Sequence, residues 1–354
     1  MQLDVHYCAV KVLAHFSGFG DEDAQTIAFA SQYVDDATEH KGILVTHLPD
    51  ALEEVLRSRN MLNAAGDFEP VCTAHKGIQF LSGLREAVQR KVYVPFHFIP
   101  GSPKEPLMPF DYRAVPGGQI VSQLLDHWLG QLGDEQQFGG SVAVLVGIGV
   151  ALHSYADTWS HQCFSGRHNP EWNDIEHISI LKEGEMHPLG ILEQAELNAL
   201  PAVGHGEAMN LPDLSHLTWQ YEEDRTGAPH PRNNTDLFLQ AAENIHGKLS
   251  QANGNGGKPW LEFSGRVRRC LEFPTESLEE KFLKWQEVFP EVRLEYDPNQ
   301  WRQQALSGHG HDWDHLADAD DFGRLSFKAT GELRWFLFHL AARFQRDYVD
   351  VRVA

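Results

Sequence analysis

Apolar residues recur every three or four positions over residues 5–16, where Val5, Cys8, Ala9, Val12, Leu13 and Phe16 would share one face before Gly18 and Gly20 close the run. That spacing predicts an amphipathic helix. A second helix is expected from Asp21, a residue suited to capping, with Ala24, Ile27, Ala28 and Ala30 leading to Tyr33, Val34 and the acidic pair Asp35-Asp36. Helical patterning returns from Gly117 to Leu132. From about Ser141 to Gln162 the chain is apolar around most of a helical circumference, which predicts a rod at the centre of the fold. Two further helical patterns, Ser277 to Val288 and Thr330 to Tyr348, carry Trp285, Trp335, Phe336 and Phe338 and look like core packing. An exposed apolar stripe there would instead mark a partner surface or a homodimer face.

The segments between these patterns are irregular. Val92 to Phe110 mixes β-branched and aromatic residues with five prolines, so a buried but irregular connection is expected. Residues 164–235 are rich in Gly, Pro, Asn and His, with only short helical signals such as Ile191 to Leu200, and read as loops. Gln251 to Trp260 has the composition of a flexible turn. Convincing alternating strands are few. The pattern therefore predicts a mainly α, multi-helical single domain over 1–354, with a loop-rich insertion at about 164–235 and a C-terminal helical extension at about 261–354.

Composition narrows the function. The 354 residues carry 29 Lys and Arg against 50 Asp and Glu, a formal charge of −21, and lack the basic footprint that a duplex nucleic-acid backbone requires. The opening MQLDVHYCAV has no cationic segment followed by a long apolar run, and the apolar stretch Val142 to Leu152 is too short to span a bilayer. The expectation is a cytoplasmic protein without stable membrane insertion. Four scattered cysteines with no CxxC pair exclude a thiolate zinc knuckle, so any metal must be held by nitrogen and oxygen. Twenty histidines make that worth a positional test.

The sharpest pattern is Ala151-Leu-His-Ser-Tyr-Ala-Asp-Thr-Trp-Ser-His-Gln, which sets His153, Asp157 and His161 four residues apart. On a helix these stack along one stripe, so two imidazoles and a carboxylate would enter one cavity from the apolar rod. Zinc accepts both donor types, and a carboxylate between imidazoles can bridge two ions. His6 lies near the apolar face of the first helix, where a hydrogen-bonded core histidine is the commoner case. Asp35 and Asp36 put carboxylates at a helix C-terminus, against the macrodipole, where one could ligate or act as a general base. The glycine-flanked His205, with Glu207 and Asp213 on the same loop, offers further candidate ligands. His97 sits between Phe96 and Phe98, a buried setting in which an imidazole needs a partner.

The early histidine, the SQYVDD helix end and above all ALHSYADTWSHQCFSG resemble an uncharacterised bacterial protein family, itself distantly similar to zinc-dependent phospholipase C and the single-strand-specific zinc nucleases. The likeness covers roughly residues 1–220. It implies a helical protein that holds zinc with His and Asp residues and cleaves phosphate esters. By position it makes His153 and Asp157 the helix pair with Asp157 as bridge, His6 the early histidine, Asp35 or Asp36 the early carboxylate, and His97 the histidine before the central helix. His161, His205 and Asp213 would serve a second metal. Those enzymes also use a processed N-terminal tryptophan and a His–Glu pair four apart. Here Met1 stands first and Met209 follows His205 by four, so one or two zinc ions are expected rather than three.

The resulting expectation is a zinc-dependent hydrolase of a small phosphoester, with metal-activated water and with Asp35, Asp36 and Asp157 as catalytic carboxylates. A catalytically inactive metal-binding protein and a helical interaction module remain open beside it. The His311-Asp312 dipeptide, in a Gly- and Asp-rich stretch from Ser307 to His315, reads as a solvated loop.

Overall fold

The computed structural model describes residues 1–39, 41–75, 84–106, 108–190, 203–223, 226–254, 256–307 and 325–354. The expected helix at 191–200 and the His311-Asp312 stretch lie outside them. The chain opens with a π-helical turn, Asp4–Ala9, that continues as α1 (Val10–Phe16). It is followed by α2 (Asp21–Asp36), β1 (Val45–Thr46) and α3 (Asp50–Ser58). A short α4 (Glu86–Val88) runs into a second π-helical segment, Gln89–His97, which passes through Pro95. Then come α5 (Gln119–Leu129), α6 (Gly140–Ser160) and α7 (Pro170–Asn173). Strands β2 (Ile175–Lys182), β3 (Glu185–Pro188), β4 (Thr218–Glu223) and β5 (Pro229–Asn233) precede α8 (Asn234–Ala252). The rest comprises α9 (Ser264–Leu271), α10 (Leu278–Val288), α11 (Gln300–Ala305), β6 (Leu306–Ser307), β7 (Leu325–Phe327) and α12 (Arg334–Val353).

The architecture is mixed α/β, which corrects the expectation of a mainly α bundle. Strands β3-β2-β4-β5 form an antiparallel sheet inside the region expected to be loops, and β1-β7-β6 form a second, small sheet. Alternation is masked in the first sheet for local reasons. The register of β2 against β4 shifts between Glu176 and Ser179, with His177 at φ 51°. All of β3 is exposed, and β5 reads Pro-His-Pro-Arg-Asn. A bulge, an edge without a buried face and a strand with two prolines each remove the period-two signal.

Helix α6 does occupy the centre. It is the one helix among the described residues long and apolar enough to cross a membrane, yet 78% of that window is buried inside the protein. Its partner α2 approaches closely because position 149 is glycine: a Cβ there would lie 2.3 Å from the Ile27 carbonyl oxygen and 2.6 Å from Ala30 Cβ. Helix α12 supports the opposite side. Gln345 Nε2 donates to the Pro95 carbonyl at 2.8 Å and to Ser154 Oγ at 2.7 Å, and Arg346 donates to the Cys72 carbonyl at 2.9 Å. Val71 N–H donates to Nδ1 of the buried His339 at 3.1 Å, and burial pushes that imidazole down to about 3.

Two outcomes follow from this packing. Gly149→Ala gains about 1 kcal/mol of helix propensity, but the new methyl meets backbone, and overpacking of that kind costs about 1–3 kcal/mol. Urea unfolding should therefore show a net loss, and a more stable variant would refute the close approach. For His339 the folded value lies below the ordinary 6.5, so the unfolded chain binds the extra proton and stability falls as pH drops from 6.5 toward 3. Replacing it with Gln, which keeps an acceptor for Val71, should make the urea midpoint less sensitive to pH across that window.

Candidate metal centre

Three groups of side chains bring ligand atoms within 4.8 Å of one another: His6, His153 and Asp157; Asp35, His97 and His153; and His161, His205 and Asp213. They come from the N-terminal π-turn, the C-terminal end of α2, the end of the second π-segment, the last turns of α6 and the loop before β4. Helical spacing on α6 does what the pattern predicted, with His153 and Asp157 buried on one stripe. His161 caps the helix.

Asp157 lies at the centre, 1% exposed. One oxygen, Oδ1, is 3.1 Å from His6 Nε2 and 2.8 Å from the Met1 amine. The other, Oδ2, is 3.2 Å from His97 Nδ1 and 3.3 Å from His153 Nε2. Asp35 Oδ1 completes that second set, 3.6 Å from His153 Nε2 and 3.9 Å from His97 Nδ1. In the third group His161 Nε2 is 3.1 Å from Asp213 Oδ1, and His205 Nε2 is 3.4 Å from Asp213 Oδ2.

The imidazoles are oriented by main-chain carbonyls. His153 Nδ1 donates to Ser31 O at 2.9 Å, His97 Nε2 to Thr73 O at 2.9 Å, His161 Nδ1 to His97 O at 2.8 Å and His205 Nδ1 to Met209 O at 2.6 Å. A carbonyl only accepts, so each contact assigns a proton to that nitrogen, and in the neutral ring the other keeps its lone pair. Those lone pairs face each other: His153 Nε2 is 3.2 Å from His97 Nδ1, and His205 Nε2 is 3.2 Å from His161 Nε2. Such gaps call for a cation. Burial pushes the His205 imidazole down to about 4, so a proton there is not retained near neutrality. His6 is held at about 4 by burial and by its neighbour His153, and neither of its ring nitrogens makes a hydrogen bond. These donors fit a divalent metal that takes nitrogen and oxygen ligands.

Electrostatics point the same way. Burial alone would raise Asp157 and Asp213, but the surrounding imidazoles and the Met1 amine hold both well below the usual carboxylate range. Burial alone would lower the Met1 amine, but Asp157, Asp213 and Asp35 raise it to about 11. The amine also lies 2.9 Å from Asp213, tying two groups together. No side-chain pattern reveals this main-chain amine, which acts here as an ion-pair partner of the two aspartates.

The structure separates the two early carboxylates. Asp35 joins the cluster, whereas Asp36 accepts hydrogen bonds from Tyr296 Oη at 2.5 Å and Gln32 Nε2 at 3.3 Å and belongs to none of the three groups, which corrects its place among the expected ligands. Glu207 accepts a hydrogen bond from the Ile175 N–H at 3.0 Å instead of joining its loop neighbours in a ligand group. Gly204 is required where it stands: its φ is +60°, and a Cβ would meet the Phe98 ring at 2.5 Å. Phe98 in turn stacks on His161, with centroids 4.5 Å apart.

The cluster floors a cavity of about 990 Å³ whose walls include Leu3, Tyr93, Phe98, Val203, Met209, Leu278 and Tyr296. Tyr33 and Trp159 do not join this wall and are buried in the core. Among the described residues no lysine or arginine lines the cavity.

Fold and site together define a mixed α/β protein built around a buried His/Asp cluster able to hold metal ions. The chain belongs to the family of unknown function DUF6765, which it matches over residues 1–353. No curated protein and no solved structure matches it. No likeness to phospholipase C or the zinc nucleases is shown.

A ligand that binds only the folded state stabilises it by about 2.7 kcal/mol at a hundredfold excess over Kd. Chelator-treated protein should therefore melt several degrees higher on adding a divalent ion such as zinc, and Asp157→Asn should lose most of that gain. An unchanged melting curve for the wild type would remove the metal assignment.

Proposed function

We propose that this protein is a zinc-dependent phosphoester hydrolase. Counting lone pairs supports two well-served ions. His153 has given Nδ1 to Ser31, so its Nε2 serves one ion, together with His97 Nδ1, Asp35 and Asp157 Oδ2. His161, His205 and Asp213 offer three ligands and leave a fourth position open, the arrangement expected of a catalytic rather than a structural zinc site. The remaining set around His6 and Asp157 Oδ1 has two side-chain ligands.

When bound, zinc would supply Lewis acidity toward a phosphoryl oxygen and acidify a water molecule. The chain's own residues divide the other tasks. Asp35 keeps 28% of its side chain exposed at the cavity floor, placed to orient a water and accept its proton. Asp157 is enclosed by partners on both oxygens, which suits a bridging ligand and excludes it as a base toward substrate. Asp36 is engaged by Tyr296 and serves the shape of the wall. The apolar walls exclude water from the reacting ester.

The observation that carries this reading is the convergence of imidazole nitrogens and three carboxylates beneath a cavity that has no lysine or arginine among its described residues. The Met1 amine is already engaged by Asp157 and Asp213, so ions would supply the positive charge that holds an anionic ester there.

Hydrolysis of bis(p-nitrophenyl) phosphate by the zinc-loaded full chain tests it. Asp35→Asn and His205→Ala should lower kcat by about 100-fold or more, while Asp36→Asn should stay within a few-fold of wild type. Zinc uptake without turnover would make this a binding protein, and turnover that survives chelation would exclude the metal mechanism.

A further inference from the structure

Each ligand of the His161–His205–Asp213 group is flanked by a contact to the β3-β2-β4-β5 sheet. At the His161 end, Arg232 of β5 is 5% exposed and spreads its guanidinium over the carbonyls that end α6. Nη2 donates to Ser160 O at 2.6 Å and Trp159 O at 3.2 Å, and Nη1 donates to Gln162 O at 3.2 Å. These are carbonyls at or just past the end of a helix, where the last ones lack an intrahelical donor and where a cation is favoured. The guanidinium also lies over the Trp219 ring of β4, 5.5 Å from its centroid.

At the Asp213 end, Asn234, fully buried at the exit of β5, donates from Nδ2 to Leu211 O at 2.7 Å and Leu214 O at 2.8 Å. Those two carbonyls bracket Asp213. Asn234 Oδ1 accepts from Trp219 Nε1 of β4 at 3.2 Å, so Arg232 and Asn234 share one anchor in the sheet. At the His205 end, the buried Glu207 carboxylate is held by the first N–H of β2. By contrast, the Asp35–His97–His153 set is oriented by carbonyls of Ser31 and Thr73 and backed by α2, α6 and α12, with no residue of this sheet among its partners in the described residues.

We infer that this sheet is the positioning frame of one metal subsite, and that Arg232 and Asn234 are positioning residues for the ion held by His161, His205 and Asp213. The inference rests on the zinc reading above and adds a division of labour to it: the helical layer builds one subsite and the sheet builds the other.

The test is a zinc titration of the chelator-treated full chain by calorimetry, with cobalt absorption as a second signal of ligand geometry. The binding step that His205→Ala abolishes identifies the sheet-side ion. Asn234→Leu and Arg232→Lys should weaken that same step by about 10–100-fold, the usual effect of removing support behind a ligand. The other step should hold its affinity. Arg232→Lys keeps the positive charge at the helix end, so it should retain more affinity than Arg232→Met and remains informative if the latter fails to fold. Gln345→Leu, equally buried but on α12, measures the effect of general destabilisation and should leave the sheet-side step alone. Parallel weakening of both steps, or no weakening in either sheet variant, overturns the inference while leaving the zinc reading intact. A wild-type chain that takes up no zinc overturns both.

Discussion

A carboxylate in the middle of a hydrophobic core is the constraint around which this molecule is arranged. Asp157 projects from the most apolar helix of the chain and is 1% exposed. An isolated buried charge of that kind is prohibitively expensive, so its surroundings must supply compensating positive charge and hydrogen-bonding partners on both oxygens. Met1 and His6 face one oxygen, and His97 and His153 face the other. Two segments far from it in sequence, the first residues of the chain and the second π-helical segment, must therefore meet at one point on α6, and that requirement constrains how the helices pack around it.

The imidazoles have their own demand, met by the main chain rather than by carboxylates. Four of the five ring N–H groups turned away from the cluster end on carbonyls, of Ser31, Thr73, His97 and Met209. A carbonyl fixes a tautomer without adding charge to a site that already holds three aspartates, which leaves the ligating nitrogens basic and the net negative charge unraised. The cost appears in the backbone. Met209 sits at φ 48°, an uncommon conformation for a side-chain-bearing residue, with its carbonyl aimed at His205. His6 and His97 both lie on π-helical segments, where an extra residue per turn re-aims a side chain that regular α-helix would send elsewhere.

How much of this was legible in the sequence depended on whether the geometry is local. His153, Asp157 and His161 could be read because a helix maps a four-residue spacing onto one face. The choice between Asp35 and Asp36 could not, since adjacent residues at a helix end point about 100° apart and only the packing of α2 on α6 decides which one enters. The connection from Val92 was expected to be irregular because of its prolines, yet its first part is a π-helix through Pro95. A proline removes one donor, and the wider hydrogen-bond pattern of a π-turn absorbs the loss. The sheet at 175–233 was hidden because strand pairing is non-local. Trp219 and Tyr221 alternate inward on β4, but four residues of alternation between prolines and charges do not outweigh a loop-like composition.

The surface charge of −21 and the aspartates of the cavity act on any ligand in the same direction. On the function proposed above, a phosphoester approaching the protein without ions meets a net negative floor, with the Met1 amine paired to Asp157 and Asp213 and no lysine or arginine among the described cavity residues to offset it. Filling the two better-served subsites would add four positive charges, which with the Met1 amine outweigh Asp35, Asp36, Asp157 and Asp213 and so reverse the sign of the floor. On that proposal ion binding has to precede substrate binding, because the net attraction that would hold the ester is absent until the ions are in place. The same arithmetic would make the cavity selective for anions only in its loaded state, so metal affinity would set both the chemistry and the substrates admitted to it.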